Sequence, residues 1–138
     1  MMKEDCIFCK IAKGKIPSAT IYEDNHFAVI LDVNPATKGH CLIIPKEHFD
    51  NIYDLDGETA GKLFSLATCI ARALKDALKC DGLNVIQNNG EIAGQTVNHF
   101  HLHLIPRYEG DGVDLTWPQH EVSQDELEEI RKTVKKAI

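Results

Sequence analysis

The segment His99-Phe100-His101-Leu102-His103-Leu104-Ile105 alternates histidine with apolar residues. Alternation with a period of two is typical of a β-strand, because successive side chains of a strand point to opposite faces. The three histidines are therefore predicted to share one face, and the apolar residues between them to enter the core from the other. Alternate residues of a strand lie roughly 6.8 Å apart, so His99 and His103 are expected about 14 Å apart and do not bind the same metal ion.

Three interpretations of this histidine row are open from the residues alone. The row could be the solvated face of an edge strand, or a metal site that uses two adjacent histidines. The third interpretation is a catalytic row in which histidine acts as nucleophile or as acid and base. Strict alternation of three among only seven histidines favours the catalytic interpretation.

The loop before the row, from Asn88 to Thr96, contains groups that suit phosphate. Gly94 allows a close backbone approach, and Gln95 and Thr96 carry side-chain donors. Such donors suit phosphate oxygens next to a histidine nucleophile. Taken without the histidines, the loop is better explained as an ordinary hairpin connection.

The remaining periodicity predicts strands at residues 20–22, 27–31, 40–44, 83–87 and 97–105. Helices are predicted at 6–13, with Asp5 as N-cap, and at 57–79, where apolar residues recur at three- and four-residue spacing. Asp56 is expected to cap the long helix, and Gly82 lies just past its end. A final helix is predicted from Ser123, with Glu126 completing a capping box.

This order of elements predicts an α+β fold. The regular βαβ alternation of a parallel sheet is missing from the prediction, and the links between strands are short enough for antiparallel pairing. We therefore expect an antiparallel sheet of about five strands, with one long helix and shorter terminal helices on one face.

Composition places the 138 residues among ordinary globular domains, with 43% apolar and 26% charged residues. The net charge of −6 argues against a nucleic-acid partner or an anionic membrane surface. No apolar run approaches the roughly 20 residues of a membrane span, and the polar start Met1-Met2-Lys3-Glu4-Asp5 is unlike a signal peptide. We expect a cytoplasmic protein whose five cysteines are reduced thiols or metal ligands.

Cys6 and Cys9 have C-x-x-C spacing, which places them on one face of the predicted short helix. The spacing is compatible with a redox dithiol, half of a zinc site, or two buried thiols. A thioredoxin-like dithiol normally follows a strand in a βαβ unit, and none is predicted here. Cys41, Cys69 and Cys80 have no partner spacing and are interpreted as packing residues.

Together with the histidine row, four further segments resemble the histidine triad (HIT) family of nucleotide hydrolases and transferases. They are Cys6-Ile7-Phe8-Cys9-Lys10-Ile11, Leu31-Asp32-Val33-Asn34-Pro35, Lys38-Gly39-His40-Cys41-Leu42-Ile43-Ile44-Pro45-Lys46 and Gly94-Gln95-Thr96. The resemblance covers about Cys6 to Arg107 and is greatest to the bacterial-type relatives of the nucleoside phosphoramidases. It implies a HIT-like fold in a single domain of residues 1–138, in which 108–138 form a divergent C-terminal tail and helix.

The resemblance implies that His101 is a nucleophile that attacks the α-phosphorus of a nucleoside 5′-phosphoramidate or a related nucleoside 5′-phosphoryl compound. A covalent nucleotidyl-histidine would form, and water would release the nucleoside monophosphate. His103 is similar to the family residue that contacts the phosphate, and His40 to a fourth histidine near the leaving group or phosphate. Two alternatives remain: a dinucleoside polyphosphate hydrolase or phosphorylase, and a nucleotide-binding regulatory module with incidental turnover.

For the nucleotide, an AMP-type purine nucleotide, the resemblance implies that Asp32 accepts hydrogen bonds from the ribose hydroxyls. Asp32 could instead only form the turn before Asn34-Pro35. The apolar walls of the base pocket are expected from Ile7, Phe8, Ile11, Ile16 and Val33, whose alternative role is core packing. The ribose–phosphate loop is expected from Asn88, Gly94, Gln95 and Thr96. No catalytic metal is expected.

The resemblance also implies a structural zinc ion held by Cys6, Cys9, His48 and His99. It implies a homodimer formed through the long helix and an edge strand. The broad apolar arc of residues 57–79 supports the dimer, although a C-terminal helix covering that arc in a monomer is the alternative. Trp117-Pro118 resembles a C-terminal Trp-Pro that some relatives place near the partner's active site, at a different spacing from the triad.

Overall fold

The structure is a computed structural model that describes residues 3–138, and its strands form one antiparallel sheet. The strands are β1 (Thr20–Glu23), β2 (Phe27–Leu31), β3 (Cys41–Pro45), β4 (Gly82–Ile86) and β5 (Leu102–Arg107). The helices are α1 (Ile7–Ala12), α2 (Gly57–Leu78) and α3 (Gln124–Ala137), with a short 3₁₀ turn at Glu91–Ala93. The sheet order is β1-β2-β3-β5-β4, and all four pairings are antiparallel. The predicted α+β class and five-stranded antiparallel sheet are confirmed.

The two faces of the sheet are covered by different helices. Val29 and Ile43 pair across β2 and β3 and pack in the core under α2, whereas Ile30 and Leu42 pack on the opposite face with α1. The core under α2 consists of Phe27, Val29, Cys41, Ile43, Leu63, Ala67, Ile70, Leu74, Phe100, Leu102 and Leu104. The core under α1 consists of Cys6, Phe8, Cys9, Ile30, Leu42 and Ile44. The expectation that all helices share one face is wrong, because β2 and β3 are apolar on both sides and both sides need cover.

The long helix α2 begins as predicted and ends differently. The Asp56 side chain accepts a hydrogen bond from the Thr59 N–H and caps the N-terminus. The C-cap is Lys79 in the left-handed conformation (φ 54°), whereas the expected glycine signal, Gly82, already belongs to β4. The left-handed turn at Lys79 redirects the chain directly into the sheet, which leaves no need for a glycine cap.

The predicted strand at 97–105 forms only from Leu102 onwards. Upstream, the His99 N–H donates to the Val97 carbonyl and the Phe100 N–H donates to the Phe49 carbonyl at 2.6 Å, so these backbone groups are used outside the sheet ladder. Phe100 and Leu102 are nevertheless buried in the core, as their alternation predicts. Likewise, the N-cap of α1 is Cys6 rather than Asp5, because the Cys6 Sγ accepts from the Cys9 N–H at 3.4 Å.

The C-terminal tail leaves β5 through an ordered turn and ends in α3. The Arg107 guanidinium binds both carboxylate oxygens of Asp111, at 2.8 and 3.0 Å. The predicted cap of α3 is confirmed, since the Ser123 hydroxyl accepts from the Glu126 N–H at 3.1 Å. Among residues 3–138, no helix combines the length and hydropathy that a membrane crossing requires.

The three remaining cysteines do not all pack as expected. Cys41 is buried and Cys80 is half-buried, but Cys69 is exposed on α2. The interpretation of Cys69 as a packing residue is wrong, because it lies one residue before the buried Ile70 and so is rotated about 100° away from the buried stripe.

Candidate active site and metal centre

His101 is held with one ring nitrogen free. Its Nδ1 lies 2.7 Å from the carbonyl oxygen of His99, and since a carbonyl only accepts, Nδ1 carries the hydrogen. The Nε2 atom therefore has a lone pair when the ring is neutral. The ring is buried against Phe8 in an edge-to-face contact with centroids 4.9 Å apart, and burial lowers the pKa of His101. The arrangement keeps a neutral imidazole with an available Nε2, as a nucleophile requires.

His40 and His103 form a hydrogen-bonded pair whose direction is fixed by the backbone. The Ala36 N–H donates to Nδ1 of His40 at 2.9 Å, so the hydrogen of a neutral His40 ring resides on Nε2. That Nε2–H donates to Nδ1 of His103 at 2.9 Å, which places the hydrogen of His103 on its own Nε2. His103 is thus oriented as a donor through Nε2.

Burial keeps both members of this pair neutral near pH 7. The pKa of His103 is lowered to about 4, chiefly by burial and also by the positive charges that His101 and His40 would carry. Burial also lowers the pKa of His40, opposed by the negative charge of Asp32. The ring centroids of His101 and His103 lie 4.9 Å apart. The free Nε2 of His101 and the Nε2–H of His103 therefore belong to one site.

Asp32 has one oxygen in a turn and one facing the histidines. Its Oδ1 accepts from the Asn34 N–H at 2.8 Å, which is the turn-forming role considered as an alternative. Its Oδ2 lies 3.6 Å from Nε2 of His40. The two roles are compatible, because the turn uses only one of the two carboxylate oxygens.

The ring of His99 contacts the two thiols at the start of α1. Its Nδ1 lies 3.3 Å from the Cys6 Sγ and 3.4 Å from the Cys9 Sγ, and the Cys9 Sγ lies 3.3 Å from Nδ1 of His48. A tetrahedral zinc ion with bonds of about 2.3 Å to sulfur and 2.0–2.1 Å to nitrogen holds those atoms about 3.6 Å apart. The observed separations are within a few tenths of an ångström of that value, so the four predicted ligands are brought together.

The tautomers of this cluster also suit a metal ion. The Nε2–H of His99 donates to the Pro45 carbonyl at 2.8 Å, and the Nε2–H of His48 donates to the Asp50 carboxylate at 2.7 Å. Both Nδ1 atoms therefore direct lone pairs towards the thiols. Partners of this kind fix a ligating imidazole in its orientation. The role of Asp50 was not identified from the sequence, although its position two residues after His48 could have indicated it. The Pro45 carbonyl is a backbone group, so no residue type in the sequence marks its role.

Asp32, His40 and His103 form a second group whose ligand atoms lie within 4.8 Å of one another. This group does not fit a metal ion. Nε2 of His40, which faces the other two side chains, carries the hydrogen because Nδ1 accepts from the Ala36 N–H. Without a lone pair on Nε2, the geometry suits a chain of hydrogen bonds instead.

The predicted ribose–phosphate loop is held in shape by hydrogen bonds of one of its own side chains. Gly94 adopts φ 99°, and a Cβ there would lie 3.4 Å from the Asn88 side chain, so these two positions are in contact. The Gln95 amide accepts from the Gly90 N–H at 2.8 Å and donates to the carbonyls of Asp50 and Val97 at 2.7 and 3.0 Å. Gln95 thus shapes the loop, and contact with a phosphate would require it to give up one of these bonds. Thr96 is exposed beside it.

The predicted apolar walls divide into buried and exposed residues. Phe8 is buried against His101, and Ile11 packs against the core under α1. Ile16 is half-buried, whereas Ile7 and Val33 are exposed. Core packing is therefore a real role for Phe8 and Ile11, while Ile7 and Val33 have apolar surface available for a ligand.

Comparison with known proteins finds a matching family and several similar solved structures. Residues 13–110 match the HIT domain family. A relative from Saccharomyces cerevisiae named Adenosine 5′-monophosphoramidase HNT1 is 44% identical over 128 residues, which cover 92% of this chain and 78% of the relative. The crystal structure of a Zn-bound histidine triad family protein from Mycobacterium smegmatis is 39% identical, has a TM-score of 0.76, and is matched over 97% of this chain and 98% of that one.

The crystal structure of a member of the HIT family from Bacillus subtilis is 46% identical and has a TM-score of 0.92, with 98% of each chain covered. Residues 108–138 are more than a fifth of the sequence, so a TM-score of 0.92 requires the tail to superpose as well. The placement of α3 is therefore shared with that crystal structure.

Proposed function

The chain belongs to the HIT family, and on that premise we propose that it hydrolyses nucleoside 5′-phosphoramidates or related nucleoside 5′-phosphoryl compounds at the α-phosphorus. The observation that carries the proposal is the hydrogen bond from Nδ1 of His101 to the His99 carbonyl, which leaves Nε2 of a neutral ring free. The similarity to an adenosine 5′-monophosphoramidase supports the phosphoramidate as the substrate class.

In the first step, Nε2 of His101 attacks the α-phosphorus. The Nε2–P bond forms while the bond from phosphorus to the leaving nitrogen breaks, and that nitrogen takes up a proton from solvent and departs as the amine. The His101 ring becomes positively charged in the nucleotidyl intermediate. The His99 carbonyl, which accepts the Nδ1–H, stabilises that charge without any rearrangement.

His103 is proposed to bind the phosphoryl group through its Nε2–H. His40 acts through His103. The Nε2–H of His40 donates to Nδ1 of His103, and this keeps the hydrogen of the His103 ring on Nε2. In the second step, water attacks the phosphorus and gives up a proton to solvent, the P–Nε2 bond breaks, and the nucleoside monophosphate leaves. His101 then regains its neutral form with Nε2 free.

The nucleotide is proposed to lie between Asp32 and the loop that ends at Thr96. The Oδ2 atom of Asp32 accepts from the ribose hydroxyls, while Oδ1 remains in the turn with Asn34. The apolar surface of Ile7 and Val33 contacts the base. Asn88 and Gly94 form the backbone surface that faces the sugar and phosphate, and Gln95 braces it.

We further propose that Cys6, Cys9, His48 and His99 hold one zinc ion. Bound there, zinc would supply structural stabilisation by joining α1 to the end of β3 and to the segment before β5. We also propose a cytoplasmic homodimer, supported by five cysteines that form no disulfide with one another and by β4 lying at the sheet edge.

The test is a substrate panel read by release of the nucleoside monophosphate, run with wild type and His101→Ala. We expect an adenosine 5′-phosphoramidate to be hydrolysed with a higher kcat/KM than a dinucleoside polyphosphate, and His101→Ala to abolish both activities. Faster cleavage of the polyphosphate would assign the chain to that substrate class. Tight AMP binding without turnover of either compound would contradict the enzymatic proposal.

A further inference from the structure

The loop between β2 and β3, residues 32–40, carries the backbone group that orients the histidine pair. This β2–β3 loop brings the Ala36 N–H to Nδ1 of His40 at 2.9 Å. Residue 36 lies outside the strands, so no sheet pairing fixes the direction of this N–H. The contacts that hold the loop therefore decide which ring nitrogen of a neutral His40 carries the hydrogen.

Two backbone hydrogen bonds close the β2–β3 loop on itself. The Asp32 N–H donates to the His40 carbonyl at 2.9 Å, and the His40 N–H donates to the Thr37 carbonyl at 3.2 Å. Both bonds join residues of the loop to each other. Neither bond connects the loop to β5, the strand on which His103 lies.

The side chain of Thr37 makes that connection. Its hydroxyl donates to the Pro106 carbonyl at 2.5 Å, and Pro106 lies on β5 three residues after His103. A second connection comes from Tyr108, whose phenol donates to the Lys38 carbonyl at 2.7 Å in a more exposed position. Two adjacent residues of the loop are thus bound to the end of the strand that carries His103.

The burial of Thr37 sets it apart from other polar residues. Its exposed fraction is 8%, and the other buried polar side chains within residues 3–138 are those of His40, Gln95, His99 and His101. These four belong to the histidine site, the metal cluster or the loop before them. Thr37 is the remaining one, and it has no part in the proposed chemistry. A polar group is costly to bury, so its position next to the histidine pair calls for a role.

We propose that Thr37 is a positioning residue of the histidine site. Its bond to Pro106 holds the β2–β3 loop against β5, and this keeps the Ala36 N–H on Nδ1 of His40. The hydrogen of His40 then remains on Nε2 and donates to His103. The inference rests on the proposed function, in which the Nε2–H of His103 binds the phosphoryl group. Thr37 acts through the backbone and contacts no reacting atom.

The inference requires the hydroxyl of Thr37 rather than the shape of its side chain. Thr37→Val keeps the branched shape and removes the donor, whereas Thr37→Ser keeps the donor and removes a methyl group. Loss of the donor takes a partner from the buried Pro106 carbonyl, which favours a shift of the loop that admits water. Thr37→Ala leaves room for a water at that carbonyl and is the second variant if Thr37→Val does not fold.

The first test determines the ring tautomers by nitrogen NMR without substrate. We expect the hydrogen on Nε2 of both His40 and His103 in wild type and in Thr37→Ser. In Thr37→Val and Thr37→Ala, the fraction of His40 rings with the hydrogen on Nδ1 should rise about tenfold, the factor of one hydrogen bond. Exchange of the Ala36 amide hydrogen with solvent deuterium should also accelerate. Unchanged tautomers and unchanged exchange in the folded variants would overturn the proposal.

Thr133→Val is the matched control for the loss of a threonine hydroxyl. The Thr133 hydroxyl also donates to a backbone carbonyl, that of Glu129 at 2.9 Å, on α3. We expect the tautomers of His40 and His103 in this variant to equal those of wild type. The same tautomer change in Thr133→Val as in Thr37→Val would contradict a specific role for Thr37.

The second test measures the turnover of an adenosine 5′-phosphoramidate. We expect kcat to fall about fivefold in Thr37→Val, and Thr37→Ser to retain most of the wild-type kcat because its hydroxyl restores the bond. A role in packing alone would lower kcat in Thr37→Ser as well, since the lost methyl group leaves a void. Equal losses of kcat in the two variants would therefore contradict the inference.

The inference and the proposed function fail separately. A wild-type protein that does not hydrolyse the phosphoramidate would contradict the proposed function, while a changed tautomer of His40 in Thr37→Val would still establish the positioning. Unchanged tautomers in an active protein would contradict only the role of Thr37.

Discussion

The carbonyl oxygen of His99 lies 2.7 Å from Nδ1 of His101, while the ring of the same His99 faces the thiols of Cys6 and Cys9. One residue therefore belongs to both the metal cluster and the histidine site, through its side chain in the first and its backbone in the second. Displacement of the His99 ring would move the acceptor that fixes the tautomer of His101.

His101→Ala is expected to reduce turnover by several orders of magnitude, because it removes the proposed covalent nucleophile. AMP binding should persist, since Asp32 and the loop are unchanged. Mass spectrometry of a quenched wild-type reaction should show a nucleotidyl adduct on His101. The matched control is His120→Ala, an exposed histidine of the tail; an adduct on His103 instead would refute the assignment.

Wild-type protein purified without added metal is expected to contain one zinc ion per chain. Cys9→Ser should lose it, because the Cys9 thiol lies within 3.4 Å of both ligating nitrogens, and its melting temperature should fall. Cys69→Ser, which alters an exposed cysteine outside the cluster, should retain the metal and the melting temperature. Metal analysis and thermal unfolding of the two variants test this prediction. Full zinc content in Cys9→Ser would contradict the proposed zinc site.

His40→Leu is expected to lower kcat about tenfold, the magnitude of one lost hydrogen bond, because Nδ1 of His103 loses its donor. His40→Gln should retain more activity, since an amide both accepts from the Ala36 N–H and donates to His103. Nitrogen NMR of the wild-type rings should show the hydrogen of His103 on Nε2. Finding it on Nδ1 would contradict the direction of the pair.

The His103 ring is expected to stay neutral at pH 6 and to titrate near pH 4, because burial lowers its pKa to about 4 from 6.5. The unfolded chain binds this proton first, so the free energy of unfolding falls as the pH decreases from 6.5 to 4. Asp32→Asn should lower the pKa of His103 further, since it removes a nearby negative charge. The ring chemical shifts of His103, followed against pH, provide the measurement. A titration midpoint at pH 6.5 would contradict the lowered pKa.

The periodicity of single elements was sufficient to predict most of the fold. The stripe of α2, its cap at Asp56 and the cap of α3 at Ser123 are local patterns, and all three occur as predicted. The distribution of helices over the sheet was predicted wrongly, because it depends on long-range packing. The unbroken apolar run of β2 was the signal that both faces are buried.

The histidine row illustrates the limit of a local pattern at the site itself. Its alternation predicted a continuous strand, yet the segment before Leu102 departs from the sheet because Phe49 accepts the Phe100 N–H. The alternation still holds for the side chains, since His99 and His101 both contact Phe8 of α1. The four ligand positions were predicted only through the resemblance to a family, since no spacing rule connects residue 9 with residues 48 and 99.

The metal cluster joins residues that are far apart in the order of synthesis. Cys6 and His99 are separated by 93 positions, so the fourth ligand leaves the ribosome roughly 5 to 18 s after the thiols at ordinary elongation rates. Until then the proposed zinc site lacks its fourth ligand, so its two thiols remain open to oxidants and to competing metals. Binding of the proposed zinc ion by all four ligands therefore has to wait for the segment before β5, and the two thiols have to stay reduced throughout that interval.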